Sequence, residues 1–580
     1  MLFTAIVDEG YKTWQCERKT SKPEFENKDI TCHCAGNDIA CAQILLFNDD
    51  PMTLSLNDDP AFYEGGFEEV IRIKAESDVF GADDISFFMT GLMEDDDRNL
   101  RSDPLWHRRY FHADGKHTQA VFITVAIPRD APAGYHKILI KIYSHDSFDD
   151  EILLQTLSFT IKVYAWVLPD PSEWEFHLDL WQHNSNIARK HEVKLWSDEH
   201  FAIIEEYVST LAALGQKAIT VIASQIPWNG QFSYMMQSNV SDLFEYSCIG
   251  ITLETDGKWS FDFSALDKLL DIYFRNGIER EVEVFGLAGL WTCPDDGFGS
   301  LIEGYEEAIK LRYFNVSKGV YGYIREQDGL RRYLQALEKY FIEKGIIGKV
   351  RIVADEPSDI ERFTKVLGFI HSAAPSFKFK AAINHIEFIE ANIEGLTDYV
   401  PVLPYACTEI DRLKILKEER PGSRFCTYVC CWPDYPNTFL RSPLIESRNI
   451  SWLVSYLGLD GLLRWNYTVW PNDPRSSIIY RAWPAGDTNF VYPGNDGKPV
   501  LSQRYFCLRR GIRDFELMRI AADRTEGKEM LAQVYKKVFK FGNAGDLYKT
   551  GSKPEELYSF NYSDYENAAA SILEYLEKRK

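Results

Sequence analysis

Two adjacent carboxylates, Asp355 and Glu356, end an apolar run in residues 350–357, which read VRIVADEP. Two like charges side by side at the end of a buried strand raise the pKa of at least one of them. Acid–base catalysis needs such a pair, with one carboxyl protonated and the other ionised. Pro357 adds a backbone constraint, because a residue that precedes proline is pushed toward extended conformations and away from the following helix. The spacing alone leaves a second interpretation open, in which Asp355 caps that helix and Glu356 is solvated.

Aromatic and amide side chains follow the other apolar runs at the points where those runs end. Tryptophan faces, amides and carboxylates together form what a sugar pocket needs, namely a stacking wall and partners for hydroxyl groups. The candidates for polar contacts with a sugar are His183, Asn384, His385, Tyr405 and Asn466. The candidate stacking walls are Trp432, Trp465 and Trp470, although a single tryptophan is more often part of a core.

Eight strand-like segments alternate with helical runs from about residue 174 onward. The segments are 176–181, 218–223, 281–286, 350–354, 379–384, 399–403, 425–430 and 461–465. Helical runs between them stop at Gly215, near Gly277 and at Gly345, as is typical of left-handed helix caps. Eight β-then-α units predict a closed (β/α)8 TIM-like barrel, which would place catalytic groups at the carboxyl ends of its strands. A doubly wound open sheet is the alternative.

The rest of the chain has a different pattern. Residues 1–171 contain short alternating runs, of which 157–164 is the clearest, and predict an N-terminal accessory β-sandwich. Amphipathic helices are expected at 503–519, 530–541 and 565–580, where they brace the barrel. The predicted fold is therefore multidomain, all-β and then α/β, with a catalytic barrel over 172–520 and a helical extension over 521–580.

The formal net charge is −23, from 64 basic and 87 acidic side chains in 580 residues. Such a balance repels phosphate backbones and anionic lipid, so nucleic acid and membrane surfaces are poor partners. No run of about 18 apolar residues predicts a membrane span, and no N-terminal segment reads as a targeting signal. We therefore expect a cytoplasmic protein that neither binds nucleic acid nor inserts into a membrane.

The 11 cysteines are scattered along the chain. The segment Cys32-His33-Cys34 lacks a second ligand pair at zinc spacing, and Cys430 and Cys431 are neighbours in sequence. Reduced, buried thiols are the preferred interpretation over a metal site. We expect no metal and no cofactor.

Six phrases of the chain resemble the catalytic domain of glycoside hydrolase family 123. They are 181–183 (WQH), 355–357 (DEP), 461–467 (GLLRWNY), 482–488 (AWPAGDT), 492–494 (YPG) and 508–516 (LRRGIRDFE). The resemblance spans roughly 174–520, and the N-terminal β-region matches the family's accessory sandwich in its placement. The phrases 482–488 and 508–516 are long enough to be specific, whereas the acidic pair by itself is not.

The resemblance implies an exo-acting, retaining β-N-acetylgalactosaminidase that works by substrate-assisted catalysis. The 2-acetamido oxygen of the sugar would attack the anomeric carbon and form an oxazoline-type intermediate, without an enzyme nucleophile. Asp355 would hold the acetamido N–H, while Glu356 would protonate the leaving oxygen and then deprotonate water. The implied partner is an oligosaccharide or glycolipid headgroup that bears a terminal β-linked N-acetylgalactosamine (GalNAc).

Two rival interpretations remain open. The first is a conventional double-displacement glycosidase, with Glu283 or Asp473 as its nucleophile. The second is a non-catalytic protein that binds carbohydrate. Two further acidic features have no assigned role: Asp487 could brace a loop or contact ligand, and Glu281 shares one strand face with Glu283.

Overall fold

The structure, a computed structural model, describes residues 2–15, 29–56, 69–108, 110–145, 150–227, 244–288, 311–324, 326–357, 359–480 and 483–579. Met1, Ala482 and Lys580, which belong to segments discussed above, lie outside the described residues. The architecture is mixed α/β, with an N-terminal β-rich region, then parallel strands that alternate with helices, and finally helices. The predicted β-rich N-terminal region and helical tail are therefore confirmed.

Two sheets form the N-terminal region and pack around one apolar core. Gly134–His145 shows how the core forms, because Ile138, Ile140 and Ile142 are buried and alternate with more exposed residues. Sheet I contains, in order across the sheet, Phe3–Asp8, Asp38–Phe47, Thr118–Ile127, Ile85–Glu94 and Leu100–Trp106. Sheet II contains Thr31–Gly36, Ile152–Val167, Gly134–His145, Glu69–Glu76, Met52–Leu56 and Tyr110–Ala113.

One strand of sheet I comes from far along the chain. Pro499–Ser502 pairs antiparallel with Leu100–Trp106, with Leu501 opposite Leu105. Sheet I therefore crosses the boundary that the sequence predicts at residue 171. A strand of four residues that begins with proline carries too little periodicity to be predicted.

Parallel strands lie at the segments predicted from the sequence. Each predicted segment contains strand residues, and the seventh is divided between two short strands. The strands are β1 His177–Leu180, β2 Ala218–Ile222, β3 Glu281–Phe285, β4 Val350–Asp355, β5 Lys378–Ile383, β6 Leu396–Pro401, β7 Arg424–Phe425, β8 Thr427–Tyr428 and β9 Gly461–Arg464.

These parallel strands form two sheets rather than one closed sheet. One sheet has the order β2-β3-β4-β5-β6-β7, and the other has the order β1-β9-β8. Isolated bridges connect the two sheets, from Leu178 to Gln216 at one seam and from Val402 to Tyr428 at the other. The strand ladders therefore do not by themselves give the closed barrel that the sequence predicts.

Side chains of both parallel sheets share one apolar cluster, which we call the inner cluster. The opposite faces of the same strands pack into a larger outer core that includes the helices. Burial on both faces explains why these strands appear as continuous apolar runs in the sequence. The inner cluster includes Trp181, Ile222, Phe285, Val353, Ala382, Val400, Tyr428, Leu463, Trp465, Tyr480 and Trp483.

Helices alternate with the parallel strands and continue toward the C-terminus. Gly215 ends the helix Asp198–Leu214 with φ +83°, and the predicted turns at Gly277 and Gly345 have φ of +78° and +72°. Within the described ranges, no helix is both long and apolar enough to cross a membrane. The helices are α1 Asn184–Lys190, α2 Asp198–Leu214, α3 Ser264–Arg275, α4 Gln327–Glu343, α5 Ile360–Ala373, α6 Glu387–Glu390, α7 Leu403–Thr408, α8 Ile410–Glu419, α9 Leu444–Leu457, α10 Gln503–Ala521, α11 Thr525–Val538, α12 Pro554–Leu557 and α13 Tyr562–Glu577.

Candidate active site

The acidic pair lies where β4 ends. Asp355 is the last residue of the strand, and its alternation with Val353 places it on the face of the inner cluster. Glu356 has a φ of +40°, which is in the left-handed region, instead of the extended backbone expected before Pro357. This conformation breaks the strand alternation, so the two neighbouring carboxyl groups need not face opposite ways. A non-glycine residue in this region is a strained feature of the kind that clusters at functional sites.

Burial raises the pKa of the Asp355 carboxyl to about 8, and the negative charge of Glu356 adds to the rise. Both residues are half-buried. The negative charge of Glu356 acts on the Asp355 carboxyl, so the two groups are electrostatically coupled. The carboxyl with the raised pKa is Asp355, whereas the roles that the resemblance implies put the acid at Glu356. The free pair therefore retains one proton at neutral pH, and Asp355 holds it.

Tyr428 is a residue of this site that sequence reasoning missed. Its hydroxyl donates a hydrogen bond to Oε1 of Glu356. The side chain is buried, and burial followed by the charge of Glu356 raises its pKa, so the phenol remains protonated and able to donate. Its position near the end of a predicted strand was the available signal.

The helix that follows the acidic pair is capped by another residue. Asp359 precedes α5 and accepts a hydrogen bond from the backbone N–H of Arg362 at 2.9 Å. The interpretation that Asp355 serves as this helix cap is therefore excluded.

Three of the sequence-predicted contact residues form a continuous aromatic rim. Trp432 is 48% exposed, and its ring meets that of Tyr405 edge-on with centroids 6.4 Å apart. Tyr405 in turn lies 6.4 Å from the ring of His385, which is exposed. Tyr405 also packs against the inner cluster. Rings that pack on one another and still face solvent could stack on a sugar.

Trp465 lies deeper, within the inner cluster. It is 6% exposed, and its ring centroid is 5.1 Å from that of Trp483. Trp483 in turn contacts Tyr480 at 5.5 Å. Trp465 and Tyr428 thus belong to one cluster, which links a predicted stacking wall to the residue that holds Glu356.

Two predicted amide contacts have buried polar atoms without hydrogen-bond partners in the described part of the chain. Asn466 is fully buried, and neither its Oδ1 nor its Nδ2 is paired. Asn384 follows β5, two residues beyond Ala382, which is opposite Asp355, and its Oδ1 is also unpaired. An unpaired buried amide costs about 1–3 kcal/mol, so both side chains favour a ligand or water that would pair with them.

The remaining two contact candidates, His183 and Trp470, are fully buried. Burial holds the pKa of His183 well below its usual range, so the ring is neutral. Trp470 belongs to the outer core, where its indole N–H donates to the carbonyl of Val491 at 2.7 Å and its ring packs on Tyr207. The structure therefore places Trp470 in core packing, because a strand-end position does not determine which core a side chain enters.

Asp487 acts as a brace. It forms an ion pair with Arg464 at 2.6 Å, and both side chains are fully buried. Arg464 also donates to Oδ1 of Asn437 at 2.8 Å and to the hydroxyl of Thr438, which ties three segments together. Burial raises the pKa of Asp487 to about 6 while Arg464 opposes that rise. Of the two roles left open for Asp487, the contacts favour loop bracing.

Glu281 and Glu283 are buried as the sequence suggested, and Lys380 on β5 forms ion pairs with both carboxyl groups. The Lys380 ammonium contacts Glu281 at 2.9 Å, Glu283, and Asp179 at 2.6 Å, and all four side chains are at most 1% exposed. Burial raises the pKa of Glu283 well above its usual range. Glu283 is fully buried and cannot reach a substrate, so it is unsuited to nucleophilic attack. Asp473, the other proposed nucleophile, is exposed and accepts a hydrogen bond from the hydroxyl of Ser476 at 2.7 Å.

All nine cysteines in the described part of the chain are free. Cys32 and Cys34 are buried, and the ring of His33 between them is hydrogen-bonded to the hydroxyl of Tyr164 at 2.9 Å. Among the described residues, no group of three or more His, Cys, Asp and Glu side chains is arranged to hold a metal.

Comparison with known proteins gives a match to a family model and matches to solved structures. A comparison of the sequence with curated proteins gives no match. A family 123 glycoside hydrolase from Clostridium perfringens, solved in a study of glycolipid glycan hydrolysis, is 17% identical with a TM-score of 0.74, over 100% of this chain and 97% of that chain. At this identity the likeness shows the fold alone.

Two β-glucuronidases show a much weaker likeness. The enzyme from Dictyoglomus thermophilum is 11% identical with a TM-score of 0.29, over 88% of this chain and 68% of that chain. The enzyme from Bifidobacterium dentium is 10% identical with a TM-score of 0.30, over 88% and 67%. The family model described as "Glycoside hydrolase 123, catalytic domain" matches residues 181–521, which include the acidic pair and every candidate contact. Because that match covers more than half of the sequence, the chain belongs to glycoside hydrolase family 123.

Proposed function

We propose that this protein is an exo-acting, retaining β-N-acetylgalactosaminidase that releases terminal β-linked GalNAc by substrate-assisted catalysis. The observation that carries the proposal is the coupled pair of Asp355 and Glu356, with the Tyr428 hydroxyl held against Glu356. GalNAc as the sugar comes from the family resemblance. Glycolipid glycans as a substrate class come from the words used of the Clostridium perfringens enzyme. The substrate would be an oligosaccharide or a glycolipid headgroup.

The reaction begins with one proton on the pair. In the free protein Asp355 holds that proton, because its pKa is raised to about 8. When the acetamido N–H of the substrate donates to Asp355, the anionic form of Asp355 is favoured and the proton becomes available to Glu356. Substrate binding thus prepares the two charge states that the reaction needs.

The two carboxyl groups then divide the chemistry. The acetamido oxygen attacks the anomeric carbon, and Asp355 stabilises the positive charge that develops on the acetamido group. Glu356 protonates the leaving oxygen and afterwards removes a proton from the water that opens the oxazoline-type intermediate. Attack by the substrate's own oxygen removes the need for an enzyme nucleophile, which agrees with the burial of Glu283 against Lys380.

The rim and the inner cluster supply the proposed sugar contacts. Trp432 offers an exposed face beside Tyr405, and Trp465 offers a wall in the inner cluster, to which Tyr428 also belongs. The unpaired amides of Asn384 and Asn466 suit hydroxyl or acetamido groups. We do not include Trp470 among the walls, because it packs in the outer core.

We propose also that the two parallel sheets together make the (β/α)8 barrel over residues 172–520. The support is the inner cluster, to which strands of both sheets contribute side chains, and a bridge at each seam between the sheets. In such a barrel the ends of β4, β5 and β8 open at one mouth, where catalytic groups are found. Residues 1–171 would be the accessory sandwich and 521–580 the helical extension.

The test is a panel of aryl β-glycosides with 2-acetamido-galacto, 2-acetamido-gluco and plain galacto rings. We expect turnover of the 2-acetamido-galacto substrate, a lower rate with the gluco ring, and negligible cleavage of the plain β-galactoside. A thiazoline analogue of the intermediate should inhibit strongly. Equal turnover of the plain galactoside would overturn the assisted mechanism, and equal turnover of both acetamido sugars would overturn the specificity for GalNAc.

A further inference from the structure

Two neighbouring thiols lie on the loop that follows β8. Among the nine cysteines in the described residues, Cys431 is exposed and Cys430 is half-buried, whereas the other seven are buried. The two residues are neighbours in the sequence. They are therefore a vicinal dithiol, and a small reagent can reach its Cys431 thiol.

In the sequence, the dithiol lies between two residues of the candidate active site. Tyr428, which holds Glu356, comes two residues before Cys430, and Trp432 of the aromatic rim comes directly after Cys431. The carbonyl of Trp432 accepts hydrogen bonds from the backbone N–H of Cys430 at 3.1 Å and from its thiol at 3.5 Å. The Cys430 thiol therefore helps to hold the turn that presents Trp432.

We propose that Cys430 and Cys431 form a reversible oxidation site, which takes a low-molecular-weight disulfide as its co-reactant and closes a vicinal disulfide beside the active site. Nothing in the glycosidase reaction uses these thiols, so the site is an addition to the proposed function.

Exposure makes Cys431 the attacking thiol, because a small disulfide can reach it, whereas Cys430 is half-buried and its thiol donates to the Trp432 carbonyl. Its thiolate attacks one sulfur of the co-reactant RSSR, the S–S bond breaks, and one RS⁻ leaves and takes up a proton. Cys430 then loses its proton to solvent and attacks Sγ of Cys431, which expels the second RSH. The protein dithiol is oxidised by two electrons, and RSSR is reduced to two thiols.

Geometry makes this bridge easy to reduce. The Cα atoms of neighbouring residues are about 3.8 Å apart across a trans peptide. Ordinary disulfides join Cα atoms about 4.4–6.8 Å apart, and departures from that range store strain that makes the bond more reducible. Strained, exposed disulfides are the labile ones, so we expect a dithiol reagent to reverse the modification readily.

The bridge would also disturb the active site. The bridge removes the hydrogen bond that the Cys430 thiol donates to the Trp432 carbonyl. It also constrains the turn between Tyr428 and Trp432. A misplacement of about 1 Å can cost about 100-fold in rate, so we expect kcat/KM to fall by roughly tenfold or more. This effect on turnover rests on the proposed function, whereas the thiol chemistry does not.

The test incubates the full-length chain with oxidised glutathione and maps its peptides by mass spectrometry without reduction. We expect the peptide that contains both cysteines to lose two hydrogen atoms, kcat/KM to fall, and dithiothreitol to reverse both changes. Cys431→Ser is the matched control, which should retain activity and resist inactivation. Cys430→Ser should stop at a mixed disulfide on Cys431, because the resolving thiol is absent.

Three results would each overturn the proposal: a peptide map without the bridge, an oxidised protein with unchanged kcat/KM, or inactivation of Cys431→Ser at the wild-type rate. A reduced protein that hydrolyses no glycoside would instead contradict the proposed function. The peptide map would still decide whether the disulfide forms.

Discussion

The hydroxyl of Tyr428 donates a hydrogen bond to Oε1 of Glu356, although the two residues lie on segments of different parallel sheets. Tyr428 ends β8 in the three-stranded sheet, and Glu356 follows β4 in the six-stranded sheet. The hydrogen bond orients the carboxylate that we propose as the acid–base group.

We expect Tyr428→Phe to lower kcat/KM by about 10- to 100-fold, since a hydrogen bond to a charged group contributes roughly 1.5–3 kcal/mol. Loss of the donor also makes the doubly ionised form of the acidic pair less stable, so the alkaline limb of the pH profile, which reports the raised pKa of Asp355, should move to higher pH. The measurement is kcat/KM against pH for a 2-acetamido-galactoside. A purely structural role for Tyr428 would leave the position of that limb unchanged.

Tyr399→Phe is the matched control for this variant. Tyr399 is a buried tyrosine of β6 whose hydroxyl donates to the carbonyl of Leu396 at 2.8 Å, in the outer core. Tyr399→Phe should lose the stability that this buried hydrogen bond contributes, but its pH profile should not move. An equal alkaline shift in both variants would contradict a specific role for Tyr428.

Glu356→Gln should reduce hydrolysis of natural glycan linkages by about 10²- to 10⁴-fold, because amide nitrogen cannot supply the proton that the leaving oxygen needs. Aryl substrates with acidic leaving groups should be partly spared, since they depart with less protonation. Ligand affinity should change little, which equilibrium binding of a thiazoline analogue can measure. A variant that loses binding and turnover together would instead indicate that Glu356 is a binding residue.

The pH profile of kcat/KM should fall above about pH 8. The pKa of Asp355 is raised to about 8, and the free pair holds one proton below that value and none above it. Above that pH no acid is left to protonate the leaving group, and the profile of kcat/KM reports the free enzyme. Initial rates at low substrate concentration between pH 5 and pH 10 test this. A profile that stays level through pH 9 would be incompatible with a shared proton.

The sequence predicts the parallel strands well because they are buried on both faces and therefore appear as uninterrupted apolar runs. Asp355 and Glu356 were found for the same reason, since two charges at the end of such a run stand out. Tyr428 was missed because its contact with Glu356 joins residues 72 positions apart, and no local pattern records it. The position of Trp470 after a strand predicts a sugar contact. That position carries no information about which of the two cores its ring enters.

The ion-pair cluster around Lys380 provides a test of the double-displacement alternative. Glu283 contacts the Lys380 ammonium and is fully buried, and burial raises the pKa of its carboxyl well above its usual range. Glutamine resembles protonated glutamate in size and polarity. We therefore expect Glu283→Gln to retain activity within about tenfold, whereas loss of a nucleophile costs on the order of 10⁶-fold. Loss of activity on that scale, in a folded variant, would restore Glu283 as the nucleophile.

Asp355→Asn should remove activity toward all acetamido substrates alike and yet stabilise the protein at alkaline pH. The folded protein retains the Asp355 proton up to about pH 8, whereas the unfolded chain loses it near pH 4. Between these values the folded state binds more protons, so the free energy of unfolding decreases as pH rises. Asparagine carries no such proton, and the advantage of the variant should therefore grow from pH 5 to pH 9.

Solvent screens a half-buried group, so we expect a stability gain of about 1 kcal/mol at pH 9 rather than the full equivalent of the pKa shift. Denaturant unfolding of both proteins at pH 5 and pH 9 measures the difference. The gain would identify Asp355 as a residue whose charge costs stability and serves the reaction, as expected for an active-site carboxylate. A difference in unfolding free energy that is the same at both pH values would show that the pKa of Asp355 is not raised in the folded protein.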